Sequence, residues 1–149
     1  MRLGEPPSYD KPFDWRLHYA ASEGDLKSVQ ALISEGLPIN VLDKIGSTPL
    51  HYAAKGNHIA VVEYLVSMGA DVNGQANGEG WQDDTPLVSV AATCSFEMAE
   101  LLIKLGADPS LPGWMGNSAL DQAKERTDPE GRAVYNLLLK AIHTIMHKH

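Results

Sequence analysis

Cysteine occurs once in the 149 residues, at Cys94, so no disulfide can form within the chain. No cationic cluster lies nearby in sequence to lower its pKa, so it reads as a small buried residue, not a nucleophile. Basic residues are outnumbered, 12 Lys and Arg against 19 Asp and Glu, for a net charge of −7. Neutralising phosphates needs clustered Lys and Arg, which argues against a nucleic-acid partner and leaves room for a basic protein partner. No apolar run approaches the length of a membrane span, so no membrane contact is expected. The stretch Met1 to Asp14 carries prolines and charges without the apolar core of a secretory signal, and the expected location is the cytoplasm. Catalytic patterns are also missing: no G-x-S-x-G, no phosphate loop, no H-E-x-x-H and no paired-cysteine metal site. His143 and His147 stand one helical turn apart, but two histidines without a third ligand hold a metal poorly. The expectation is a protein that is not an enzyme, with no catalytic residue, metal or cofactor.

What is present is a unit, Thr48 to Asn73, TPLHYAAKGNHIAVVEYLVSMGADVN. Thr48 suits a helix N-cap and Pro49 the first helical position, where no backbone donor is required. Leu50, Ala53 and Ala54 form a small apolar face that lets another helix approach closely. Asn57 can take the left-handed conformation that ends a helix. Ile59, Val62, Leu65 and Val66 then lie at helical spacing, and Gly69 closes the second helix. Two helices this short cannot bury so much apolar face alone, so the unit needs neighbours.

Those neighbours flank it. Leu17-His18-Tyr19-Ala20-Ala21 repeats Leu50-His51-Tyr52-Ala53-Ala54, and Gly36 stands where Gly69 does. Downstream, Thr85-Pro86-Leu87 repeats Thr48-Pro49-Leu50, and Gly106-Ala107-Asp108 repeats Gly69-Ala70-Asp71. Ser118-Ala119-Leu120 opens a fourth, altered unit, with Asp121 in place of the motif histidine. A spacing near 33 residues with T-P-L-H-x-A in the unit resembles the ankyrin repeat, over roughly residues 13 to 141. The resemblance implies an all-α solenoid of about four helix–turn–helix repeats joined by β-hairpin-like fingers, forming a single domain. The repeats are expected near 13–46, 47–79, 80–112 and 113–146, with the outer two acting as caps. Helices are expected near 15–22, 25–34, 48–55, 58–67, 85–93 and 95–104, with a last one from about Pro129 to His147. Four extra residues fall in the second finger, within the glycine-rich stretch 75–80. Cys94 replaces a turn-forming glycine or Asn, so an irregular turn is expected between the helices of the third unit.

The family resemblance also implies a function. Such solenoids usually bind proteins on a concave face made by the fingers and first helices, and the motif histidines His18 and His51 are structural, as are Thr48, Pro49, Thr85 and Pro86. Repeat alignment places Lys44-Ile45, Trp81-Gln82 and Trp114-Met115 at equivalent finger positions. Trp81 and Trp114 are not needed there for folding, since the second unit uses Lys44, and tryptophan is enriched at interface hot spots. Asp43, Glu79, Asp83 and Asp84 supply an acidic rim. Lys55 and Thr93, with Ser22, Glu23, Ala92, Glu125 and Arg126, are expected to face the same hollow. The expected protein is a monomer when unbound that binds another, basic protein; the alternative is an immunity-type or inhibitor protein masking a basic toxin or enzyme, a role some bacterial ankyrin-type proteins fill. Alanine at both Trp81 and Trp114 is expected to cost at least about 2 kcal/mol of partner affinity, measured by calorimetry with folding unchanged.

Overall fold

The computed structural model describes residues 14–74 and 84–147. Eight α-helices follow one another there in four pairs: α1 (Arg16–Glu23) with α2 (Leu26–Ser34), α3 (Pro49–Lys55) with α4 (Ile59–Ser67), α5 (Pro86–Val90) with α6 (Phe96–Lys104), and α7 (Ala119–Lys124) with α8 (Pro129–His147). Among the described residues the fingers between pairs close through turns, and the third adds an isolated antiparallel bridge between Pro112 and Ser118.

The starts of the inner helices follow from side-chain caps. The Thr48 hydroxyl accepts the His51 N–H at 3.3 Å, the Thr85 hydroxyl that of Val88 at 3.2 Å, and the Ser118 hydroxyl that of Asp121 at 3.3 Å. Pro49 and Pro86 fill the first helical positions. Asp25 and Ser95 cap α2 and α6 in the same way. Helix α1 packs on α3, α3 on α5, and α5 on α7, giving an inner layer; behind it α2 packs on α4 and α6 on α8. Close approach in the inner layer depends on small residues: Ala20, Ala21, Ala53, Ala54, Ala91, Ala119 and Ala123 are all buried. Leu17, Val29, Val62, Leu65, Met98, Leu102, Val134 and Leu138 fill the space between the layers with no measurable exposure.

The pairs differ most at the turn between their helices. Gly24 (φ 72°) and Asn57 (φ 60°) make this turn in the first two pairs through the left-handed region. Cys94 stands at the equivalent place in the third pair. Among the described non-glycine residues only Asn57 and Met115 have positive φ, so Cys94 does not make that turn. The chain instead leaves the helix early: α5 stops at Val90, not at residue 93 as its sequence predicts. A side chain without an amide gains nothing local to offset the left-handed conformation.

The early exit leaves carbonyls to satisfy, and Arg126 supplies the donors. Its Nη1 donates to the Cys94 carbonyl at 2.8 Å and to that of Ala91 at 3.5 Å, while Nε and Nη2 grip the Asp128 carboxylate at 3.0 and 2.8 Å. Only 8% of the Arg126 side chain is exposed. The expectation that Arg126 faces the hollow is thus corrected: it is recruited by the unpaired backbone of the third turn. Asp128 in turn accepts the Gly131 N–H at 2.9 Å and caps α8. The Arg126 guanidinium, then the Gly131 N–H, hold the Asp128 carboxyl down at about 2.

Gly131 is buried against this pair, and a Cβ there would overlap the Arg126 Cβ and Nε. Alanine ordinarily favours a helix interior over glycine by about 1 kcal/mol. Here overpacking outweighs that gain, so Gly131→Ala is expected to destabilise the fold by about 1–3 kcal/mol, read as a lower midpoint in urea unfolding.

Candidate protein interface

The fingers are positioned by hydrogen bonds from the helix pair before them. His18 Nε2 donates to the Ser47 carbonyl at 3.2 Å and the Val41 carbonyl at 3.0 Å. His51 Nε2 donates to the Asp84 carbonyl at 2.7 Å. The other nitrogen of His51, Nδ1, accepts from the Thr48 N–H at 3.2 Å and the Thr48 hydroxyl at 2.8 Å. A carbonyl can only accept, and both Thr48 groups can donate, so the ring is neutral with its proton on Nε2. Asparagines do the same at the other side of each finger. Asn40 donates to the Gly69 carbonyl and accepts the Asp71 N–H; Asn73 donates to the Gly106 carbonyl and accepts the Asp108 N–H, all within 2.8–3.2 Å.

On this frame Asp43, Lys44 and Ile45 form the tip of the first finger. The Asp43 carboxylate accepts the Ser47 and Ile45 N–H groups and the Tyr52 hydroxyl. Lys44 is exposed, and Ile45 is 46% exposed. Lys55 is exposed at the end of α3, and Thr93 in the turn after α5. Asp84 is half-buried; its carbonyl serves His51, and its carboxylate lies where a side chain on Gly113 would fall. Met115, at φ 58° in the third finger, is 78% exposed. Trp114 opens the same short 3-10 turn, and its side chain lies outside the described residues. Trp81, Gln82 and Asp83, with the 75–80 insertion, also lie outside them.

The described half of the surface carries a feature that motif reading passes over. Trp15 is 59% exposed and Tyr19 is 57% exposed, their rings meeting edge to face at 5.6 Å. Tyr52 is half-buried beside them and packs edge-on against His18 at 5.7 Å. With Ser22 and Asp43 these four residues line a hollow of about 240 Å³ between the first two inner helices and the first finger. The sequence did hold a signal: Tyr19 and Tyr52 occupy the same repeat position, as Trp81 and Trp114 do.

The electrostatics are asymmetric. Burial pushes Asp43 up, but the Tyr52, Ser47 and Ile45 donors outweigh it, leaving the carboxyl below its ordinary value. The same contact pushes the Tyr52 phenol up to about 12. Burial depresses both His18 and His51, so both stay neutral near pH 7. Unfolded histidines regain a pKa near 6.5. Below that pH the unfolded chain takes up protons that the folded chain refuses, so stability is complete above about pH 6.5 and is lost as pH falls. Melting temperature is expected to drop between about pH 7 and about pH 5, and His51→Gln to lower it at pH 7 while flattening that slope.

Compared with known proteins, the chain matches no curated protein. The family model described as ankyrin repeats (3 copies) matches residues 17–113, well over half of the chain and all but the first residue of the first three helix pairs. The fourth pair lies past the matched stretch. The stacked helix pairs, the neutral motif histidines and this match together place the chain in the ankyrin-repeat family.

Proposed function

We propose that this protein is a non-catalytic binding module whose protein partner docks on the face made by the inner helices and fingers. Ankyrin repeats are generally protein–protein interaction modules. The observation that carries the choice of face is the exposure of Trp15, Tyr19 and Ile45 near Asp43, and of Met115 on the third finger, apolar side chains that the core does not use. Large exposed aromatics next to one another mark interaction surfaces more often than chance. Under this reading the domain is four repeats, near 13–46, 47–79, 80–112 and 113–146. The fourth acts as a cap: Asp121 keeps the capping box of the motif, with Ser118 N–H and hydroxyl donating to its carboxylate at 2.9 and 3.0 Å, but has no outward donor for a further finger. Trp81, Trp114, Lys44, Gln82, Asp83 and Asp84 extend the proposed surface along the fingers.

A second reading makes the partner a basic enzyme or toxin whose site this chain covers. The surplus of 19 acidic over 12 basic residues favours it, through steering of a cationic partner. Affinity capture from native lysate tests both. Wild type is expected to retain one stoichiometric partner, and Trp15→Ala/Tyr19→Ala and Trp81→Ala/Trp114→Ala each to lose it with unchanged circular dichroism. Retention by both double variants would move the site off this face. Loss of a captured enzyme's turnover on adding the wild-type chain would select the masking role.

A further inference from the structure

We propose that the hollow bounded by Trp15, His18, Tyr19, Ser22, Asp43 and Tyr52 receives one cationic side chain, arginine or lysine, from the docked partner. This rests on the protein-binding reading above and adds the chemistry of the contact. The hollow, of about 240 Å³, takes a single side chain and not a folded surface. Its walls are three aromatic rings, and the faces of Trp and Tyr attract cations through their quadrupoles.

The Asp43 carboxylate decides between a cation and an apolar anchor. Oδ1 accepts the Ser47 N–H at 2.8 Å and the Ile45 N–H at 3.1 Å, and Oδ2 accepts the Tyr52 hydroxyl. A carboxylate offers about four acceptor sites, so three are used and one, on Oδ2, remains. The three donors fix the group in position and keep it ionised. A buried methyl group from a partner would strip water from this charge without replacing it, which is costly. A guanidinium or ammonium fills the remaining acceptor site and the aromatic walls together. Among the described lining residues no cation competes. His18 turns its Nε2 proton to the Val41 and Ser47 carbonyls and is held neutral by burial, and the lining contains neither Lys nor Arg. Arg16, next to Trp15 in sequence, is paired with Asp14 and Glu35 at 2.9 and 3.4 Å.

The test is an NMR titration of the full chain with N-acetyl-arginine methylamide and N-acetyl-lysine methylamide, using the neutral N-acetyl-citrulline methylamide as the matched control. Saturable shifts of the Trp15 indole N–H and the Tyr52 ring are expected with the cations and not with citrulline; the stronger of the two cations identifies the side chain. Asp43→Asn keeps an oxygen for the Ser47 and Ile45 donors but removes the charge, and is expected to weaken cation binding roughly fivefold. Tyr52→Phe keeps the ring and releases the carboxylate oxygen, so it is expected to retain binding, which separates loss of charge from loosening of the finger. Equal shifts with citrulline, or an Asp43→Asn variant that binds the cations as wild type does, would overturn the proposal. Should the probes give no shift while the partner is still lost from Trp15→Ala/Tyr19→Ala, the cation site is wrong and the interface stands. A partner retained by both double variants defeats the interface instead.

Discussion

The structure depends on hydrogen bonds that one helix pair lends to the backbone of the next. The fingers have no strand ladder of their own among the described residues, so their carbonyls need donors from elsewhere. His18 and His51 provide them from the inner layer, and Asn40 and Asn73 from the connections after the outer helices. Hydrophobic burial brings the pairs together, but it is non-directional. The lent bonds set where each finger hangs, and therefore where Asp43 and Ile45 stand relative to Tyr19 and Tyr52.

The donors change along the array in step with what each neighbour requires. In the third pair Val88 replaces the histidine; it is buried, and no side-chain donor reaches outward from it. In the fourth pair Asp121 restores the local cap without an outward bond. On the outer side the links are more varied: His58 donates to the Ser22 carbonyl at 2.8 Å, Ser95 to Asn57 at 2.8 Å, and Arg126 to the Cys94 carbonyl at 2.8 Å. Gly24 and Gly56 leave room for the His58 ring, since a Cβ at either would overlap it. His58 and Arg126 each meet the need of a turn for a donor to its backbone carbonyl, while Ser95 bonds the Asn57 side chain instead.

That uneven chemistry explains which parts were legible in the sequence. The helix starts follow rules that act within four residues, so Thr48, Thr85 and Ser118 read directly as caps, and the helices of the first two pairs lie within a residue or so of expectation. The last helix, expected over Pro129 to His147, is found there. The shortened α5 was not legible in extent, because Cys94 announces an irregular turn without saying how far the helix unwinds. The role of Arg126 was hidden too, since its partners Ala91 and Cys94 come from the preceding pair. The candidate surface was read from the tryptophans, which recur 33 residues apart where the second unit has Lys44. The tyrosines escaped because they sit inside the repeat motif, where side-chain exposure is masked by the pattern that identifies the family.

The replacement of histidine by Val88 has a consequence for how the chain comes apart. In a linear array, stability is the sum of each unit's own folding and its coupling to the neighbour on either side. The first and second pairs share His18, Asn40 and His58 as couplers, and the second and third share His51, Asn73 and Ser95; beyond the short α5, Val88 offers no such donor. The inner layer is therefore coupled least between α5 and α7, away from the aromatic hollow. Amide exchange would reveal this as a step in protection between α5 and α7, the inner helices before it opening together.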